Sequence, residues 1–431
     1  MKALNASAGK TLGAHQRAAV FGAGVSGQAA RRLAHALELE VCLFDEAGTG
    51  DSDDFAQDRL SEFDLFIFSP GFAARHPWRM LAEGCGRPCY SELGFAALNW
   101  RGKLLGVTGT NGKTSITSFL YAALQKAGKK AAEAGNIGTP LSDVVLSEVN
   151  QVETIAVCEI SSFQAELCTG LAFDGLIWSN FAEDHLDRYD SMSEYFAAKS
   201  QLFKCLKDNA PSVLGTDVVQ FAPQMVAGHG SITVDQNCVV ELEPESLFQI
   251  EPQRTNFALV SALWHALELP VDALVAAGNS YQLPEHRLNL VTTWGDVSFW
   301  NDSKATNFHA AAAAVNAMHG TLFWIGGGSC KGGDLGSFAR LIAPKINMAF
   351  LYGEVAGSLA TSLRAQNAKV EIHADFVATV QAATRTAIEN SPAIVLLSPG
   401  FASFDQFSSY SARGKTFIST VFSLKDAFYS N

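Results

Sequence analysis

The 431-residue sequence has no surplus of positive charge: 31 Lys and Arg stand against 43 Asp and Glu, a formal net charge of -12. A broad nucleic-acid face needs clustered Lys and Arg to meet phosphates, so the composition argues against one. Any anionic substrate must then be held by a few local groups. No apolar run reaches the ~18 residues that would span a bilayer. The opening MKALNASAGKTLGAH is polar where a signal core would be apolar. These absences predict a cytoplasmic protein with no membrane insertion. The eight cysteines are scattered and form no C-x-x-C pair, and no pair of histidines flanks the closest two, Cys85 and Cys89. Reduced, mostly buried thiols are the expectation. There is no internal repeat and no low-complexity linker. What the chain does have is apolar residues, 48% of the total. That is incompatible with wholesale disorder and is enough for several domains of roughly 100–200 residues each.

Apolar runs alternate with helical stretches in three blocks, and the pattern predicts an α/β protein of three domains, 1–100, 101–283 and 284–431. The first block has strand candidates at Ala18 to Phe21, Val41 to Phe44 and Leu65 to Phe68. The second has them at Lys103 to Val107, Thr154 to Cys158 and Gly175 to Trp178, with a helix over Thr114 to Lys126. The third has them at Val297 to Trp300, Leu322 to Ile325, Ala349 to Tyr352 and Ile394 to Leu397. Polar, chemically capable residues follow the C-terminal ends of nearly all of these runs, where open parallel sheets bind ligands.

The strongest motif is Thr108-Gly109-Thr110-Asn111-Gly112-Lys113-Thr114, between a strand and a helix. Backbone N–H groups of such a loop and the helix N-terminus bind phosphate oxygens. Lys113 would reach the outer phosphates and the Thr114 hydroxyl a Mg²⁺ ion. The loop is a variant, because the first glycine of G-x-x-x-x-G-K-[ST] falls on Val107. Gly22-Ala23-Gly24-Val25-Ser26-Gly27 fits G-x-G-x-x-G, with Asp45 downstream. It suits any diphosphate, a dinucleotide or a UDP-sugar alike, and a purely structural turn has the same pattern. The segment Ser191 to Leu206 has a helical period, with Met192, Tyr195, Phe196, Leu202, Phe203 and Leu206 on one side. Ser191 and Glu194 suggest a capping box. Lys199 falls on that apolar side. Either its stem is buried and its amine reaches water, or the ammonium is paired or chemically altered. Glu183-Asp-His185-Leu-Asp-Arg-Tyr and Glu159 each follow a strand. Together these residues suggest that Glu159, His185 and a modified Lys199 surround the phosphate ends.

With these residues in view, the sequence resembles the Mur ligases of peptidoglycan synthesis, in order from about Ala18 to Phe417. The shared motifs include GAGVSG, SPGF from Ser69, TGTNGKT, GNIG from Gly135, EISSFQ from Glu159, EDHLDRY from Glu183 and AAKSQLF around Lys199. They continue through His286-Arg287, NDSKATN from Asn301, GGGSCKGGD from Gly326 and SPGFASFDQF from Ser398. The Ser-Ser-Phe-Gln after Glu159 and the Asp-Gln-Phe near the end point to the branch that adds D-glutamate. The resemblance implies a Rossmann-like N-terminal domain, a central P-loop ATPase-type domain and a Rossmann-like C-terminal domain. It implies an ATP- and Mg²⁺-dependent ligase acting on UDP-N-acetylmuramoyl-L-alanine and D-glutamate through an acyl-phosphate, in a monomer. Gly24, Val25, Ser26, Asp45, Ser69, Asn136 and Ser161 would lie along the UDP substrate. Gly109 to Thr114, Asn256, Arg287, Asp302 and Lys304 would hold ATP. Thr114, Glu159, His185 and a carbamylated Lys199 would place Mg²⁺. Lys331, Ser403, Phe404 and Tyr410 would receive D-glutamate. The sequence departs from the family's pattern at Pro252-Gln253-Arg254-Thr255-Asn256, where His-Asn-x-x-Asn is usual. Glu46-Ala47 replaces the Thr-Arg that commonly follows the acidic strand end, and Phe404 and Tyr410 replace Leu and Phe. A sister ligase adding another amino acid is the nearest alternative. A NAD-dependent oxidoreductase would not need Lys113. A nucleotide-binding protein without catalysis would not need Glu159, His185 and Lys199 together.

Overall fold

A computed structural model describes residues 16–136, 138–186, 188–224, 231–234, 240–329 and 333–429. Sixteen strands among them form three sheets. The first contains β1 (Arg17–Phe21), β2 (Glu40–Phe44), β3 (Leu65–Phe68) and β4 (Cys89–Ser91), all parallel, in the order 2-1-3-4. The register places Phe21 between Phe44 and Phe68. The Phe21 and Phe68 rings stack with centroids 4.3 Å apart, and Phe55, Phe63 and Trp78 complete an aromatic core.

The second sheet contains β5 (Lys103–Thr108), β6 (Ala131–Gly135), β7 (Ile155–Glu159), β8 (Gly175–Trp178), β9 (Ser212–Leu214) and β10 (Ile232–Thr233), again parallel, in the order 10-9-8-5-7-6. Its core joins Leu105 and Val107 to Phe119, Leu120, Leu263, Trp264 and Leu274 on the helices Lys113–Lys126, Gln253–Ala266 and Val271–Ser280. The third sheet contains β11 (Asn289–Trp294), β12 (Val297–Asn301), β13 (Leu322–Gly327), β14 (Met348–Tyr352), β15 (Val370–Ile372) and β16 (Ala393–Gly400), in the order 11-12-16-13-14-15. All its pairs are parallel except the β11–β12 hairpin. Along β13, Leu322 and Trp324 enter one core and Phe323 and Ile325 the other. The period of two shows that both faces are covered, as in a doubly wound sheet. The α/β reading holds throughout.

These elements gather into two compact units. One holds the described residues of Met1–Phe181, Ser191–Gln249 and Gln253–Tyr281, with the first two sheets; the other holds Ala182–Asp190, Ile250–Pro252 and Gln282–Asn431, with the third. Within the larger unit, the Arg32 guanidinium grips Asp143 with two bonds of 2.9 and 2.8 Å. The buried Arg79 donates to Glu166 at 3.0 Å.

One expected element differs. The helical period over Ser191 to Leu206 is realised as an α-helix, Met192–Ser200, that tightens into a 3-10 turn, Gln201–Cys205. The Ser200 hydroxyl and the Gln201 amide both donate to the Ala197 carbonyl, at 2.9 and 3.2 Å, and compete with the α-helical ladder there. Ser191 caps Glu194 N at 3.2 Å, while the Glu194 carboxylate lies 3.2 Å from Arg75. The complete capping box is at Ser161 and Gln164 instead.

Candidate functional site

The phosphate loop is built where β5 ends. Gly112 caps the helix Lys113–Lys126 with φ 79°, a left-handed conformation that a side chain disfavours. A Cβ on Gly112 would also lie 2.6 Å from Asn256 Oδ1, so Asn256 packs directly against the loop. The buried Asn256 in turn donates to Gln253 at 3.0 Å. Gln253, at the second position of the Pro252 to Asn256 stretch that departs from the family's pattern, therefore serves as a support for Asn256. Lys113 Nζ folds back to the carbonyls of Gly109 and Thr110, at 2.9 and 2.8 Å. Asn180, just beyond β8, clamps the loop: Thr110 N donates to its carbonyl at 3.1 Å and Asn111 N to its side chain at 2.8 Å. Sequence reasoning missed Asn180, although its place at a strand's C-terminal end was a signal.

Next to the loop, Glu159 ends β7 and is 1% exposed. One carboxylate oxygen accepts from the Thr114 hydroxyl at 2.7 Å and the other from the Asn136 amide at 2.9 Å. Lys199 is also 1% exposed, so its amine does not reach water. Nζ donates to Gly109 O at 2.9 Å and Thr108 Oγ1 at 3.2 Å and stands 5.2 Å from the Tyr195 ring centroid. The larger unit thus brings Lys113, Thr114, Asn136, Glu159, Lys199 and Asn256 around one loop. Among the described residues no group of three or more His, Cys, Asp or Glu side chains could form an all-protein metal cage. The Thr114 hydroxyl and Glu159 carboxylate nevertheless fit Mg²⁺, which takes few protein oxygens and completes its shell with water and substrate phosphate.

In the first sheet, the Gly22 to Gly27 turn leads from β1 into the helix Val25–Ala36, whose N-terminus at Gly24 has no side-chain cap. A Cβ on Gly27 would overlap the Gly22 carbonyl, so this glycine is required for close helix–strand packing. Asp45 accepts from Ala23 N at 2.7 Å, Thr49 Oγ1 at 2.9 Å and Ala47 N at 3.0 Å. The Ala23 bond above all holds its carboxyl below the usual range. Ser69 donates to Gly22 O at 3.3 Å. Val25 is 72% exposed, and Gly24 is exposed too. Ser161 is engaged in its capping box, accepting from Gln164 N at 3.2 Å.

The smaller unit holds the other expected residues. Asp302 follows β12 and accepts from Ser398 at 2.8 Å and Leu288 N at 3.1 Å. Withdrawal from water pushes its pKa up to about 7 against these bonds and the nearby Arg287 and Arg413 charges. Lys304 Nζ lies 3.9 Å over the Tyr410 ring, which joins a residue expected at ATP to one expected at D-glutamate. Ser403 is buried and Phe404 is 72% exposed. Lys331 lies outside the described residues. His185 sits in left-handed backbone, φ 57°, with Nε2 3.7 Å from Asp184. Asp184 accepts from Asn307 at 3.0 Å. Glu183, His185, Asn307, Ser329 and Gly333 line a small cleft. Arg413, fully buried, reaches Ser303, Tyr352 and Phe401 and fastens this region from the last helix. One Arg among the Lys, Ser and Thr residues of this mixed helix gives no sequence signal of that role.

Comparison with known proteins identifies the family. The Mur ligase middle domain profile matches residues 107–270, and the Mur ligase glutamate ligase domain profile matches residues 286–401. The chain is 32% identical over 451 residues to a UDP-N-acetylmuramoylalanine–D-glutamate ligase of Synechocystis, covering 93% of this chain and 98% of that one. It is 30% identical over 399 residues to the Francisella philomiragia protein of the same name, covering 91% and 93%. The chain belongs to the Mur ligase family. As a Mur ligase it is an ATP-dependent ligase. Its fold is shared with the MurF ligase of Thermotoga maritima, solved in complex with ADP, at a TM-score of 0.59 and 16% identity over 94% of each chain. Its described residues form an α/β fold of three sheets, and no helix among them is long and apolar enough to cross a membrane.

Proposed function

We propose that this Mur ligase joins the amine of D-glutamate to the alanyl carboxylate of UDP-N-acetylmuramoyl-L-alanine, with conversion of ATP to ADP and phosphate. The observation that carries the ligase chemistry is the buried Glu159 hydrogen-bonded to Thr114 of a phosphate loop. The choice of D-glutamate rests on the activity for which relatives matched over most of their length are named.

A carboxylate does not condense with an amine in water. Transfer of the γ-phosphoryl group makes it an acyl-phosphate, which the amine attacks with loss of phosphate. The loop N–H groups would hold the phosphates, and Lys113 would leave its own loop carbonyls to meet the oxygens that gain charge. Mg²⁺, when bound, would neutralise phosphate charge, and Thr114, Glu159, His185 and Lys199 would hold it. Lys199 would do so as a carbamate: its neutral amine bonds carbon dioxide and releases a proton, which replaces a buried cation by an anionic oxygen donor. Asn256, Arg287, Asp302 and Lys304 would bind the ATP side. Gly24, Val25, Ser26, Asp45, Ser69, Asn136 and Ser161 would bind the UDP substrate, and Lys331, Ser403, Phe404 and Tyr410 would bind D-glutamate. His185, held by Asp184, is the candidate base for the amine. Domain limits of 1–100, 101–283 and 284–431, a monomer and a cytoplasmic location belong to the same reading.

Phosphate release from the purified chain with ATP, Mg²⁺ and UDP-N-acetylmuramoyl-L-alanine tests the proposal across a panel of amino acids. Dependence on D-glutamate is the expected result. Release with only another amino acid keeps the ligase chemistry and overturns the substrate assignment. No release with any member of the panel overturns both.

A further inference from the structure

Two thiols stand together behind the phosphate site. Cys168 follows the short helix Ser162–Ala165 beyond Glu159, and Cys205 ends the 3-10 turn beyond Lys199. Both sulfurs lie 3.7 Å from the same carbonyl oxygen, that of Gln201, and Cys205 Sγ is 3.6 Å from Cys168 O. Their segments are also tied through the backbone, with Phe173 N donating to Cys205 O at 2.7 Å and Lys207 N to Phe173 O at 3.0 Å. Cys205 is 7% exposed, whereas Cys168 is only half-buried and adjoins the exposed Thr169. We propose that Cys168 is a peroxide-reactive thiol that closes a disulfide with Cys205.

The chemical contrast with other cysteines supports this assignment. Burial raises the thiols of Cys42, Cys89 and Cys158. The Cys168 thiol goes the other way, below the usual thiol range, chiefly because Cys205 hydrogen-bonds it and also because the Lys204 cation is near. A thiolate of this kind, partly exposed and beside a cation, is the reactive form. The Cys168 sulfur attacks one oxygen of hydrogen peroxide, the O–O bond breaks, and hydroxide leaves and is protonated to water. The Cys205 sulfur then attacks the resulting sulfenic acid, the S–O bond breaks, and hydroxide departs with the Cys205 proton as a second water. Two thiols lose two electrons and peroxide gains them. The bond fastens the segment behind Lys199 to the one behind Glu159, so oxidation reaches the phosphate site without touching a residue assigned to it.

The test treats the full chain with hydrogen peroxide and maps non-reduced tryptic peptides. The expected product is a dithiothreitol-sensitive link between the Cys168 and Cys205 peptides. It should be absent in Cys168→Ser and replaced by a dimedone-labelled Cys168 in Cys205→Ser. Oxidised wild type should turn over about tenfold more slowly and recover with dithiothreitol. If no linked peptide forms, or iodoacetamide labels Cys168 no faster than Cys42, the thiol pair is overturned whatever the reaction of the enzyme. A linked peptide with unchanged turnover overturns its coupling to the site.

Discussion

Two buried ionisable residues carry opposite lessons. Lys199 is enclosed, and its amine donates to two neutral oxygens, Thr108 Oγ1 and Gly109 O. A cation there is costly, and a carbamate removes it. Lys199→Ala should lower turnover on the order of 10²-fold or more, with no rescue by bicarbonate, and intact mass should show carbon dioxide on the wild-type lysine only. A near-normal rate in the variant would sink the carbamate role. Glu92 has no assigned part in the reaction. It is 2% exposed and accepts from Ser142 N at 2.8 Å, and burial lifts its pKa from 4.5 to about 7. The folded chain therefore binds more protons than the unfolded chain between those values, and stability falls as pH rises through that window. Glu92→Gln keeps an acceptor for Ser142 N and has no charge to bury. It should be more stable than wild type at pH 8, by up to about 3 kcal/mol, with the gain shrinking towards pH 4. Thermal unfolding across this range checks it, and a pH-independent difference would contradict it.

At the level of elements, the phosphate loop keeps its shape through a neighbouring strand end. Asn180 accepts from Asn111 N at 2.8 Å and donates to Asn111 O at 3.1 Å. Asn180→Ala keeps the backbone carbonyl that receives Thr110 N but loses both side-chain bonds. The expected outcome is a rise of about tenfold in KM for ATP, from the loss of 1–2 kcal/mol, with little change in melting temperature. A large stability loss at unchanged KM would show that Asn180 supports the fold and not the loop. The main strands were legible in the sequence because parallel strands covered on both faces are continuous apolar runs. The short or weakly apolar strands were not: AAEAG in β6, SVL in β9 and IT in β10 lack such runs. Lys199 could be placed on an apolar face by periodicity, but its depth depended on what closes over it. The grouping of Ala182–Asp190 with the third sheet depends on contacts such as Asp184 to Asn307, 123 residues apart, which periodicity cannot report.

At the scale of the whole molecule, the first two sheets share one compact unit, and the buried Arg79 is one of the residues that tie them. It is 3% exposed and lies in the helix Pro77–Gly84. Its guanidinium donates to Glu83 at 2.8 Å, Phe72 O at 3.1 Å and, from the second-sheet region, Glu166 at 3.0 Å. Leu167, beside Glu166, packs on the aromatic core of the first sheet, so the ion pair and the apolar contact hold the same junction. A buried ion pair gains little over a well-packed apolar pair, but removing one partner strands the other charge. Arg79→Ala should therefore cost about 3–5 kcal/mol, through the Glu166 carboxylate, whose side chain is only 8% exposed. Because the junction joins two separate cores, the first sheet should unfold ahead of the second, and Trp78 fluorescence should change at lower urea than far-ultraviolet circular dichroism. The double variant Arg79→Met with Glu166→Leu leaves no stranded charge and should recover most of the loss. If Arg79→Ala unfolds in one step at the wild-type midpoint, the junction does not depend on this pair. If the double variant is no better than the single one, the cost lies in lost packing and not in the carboxylate.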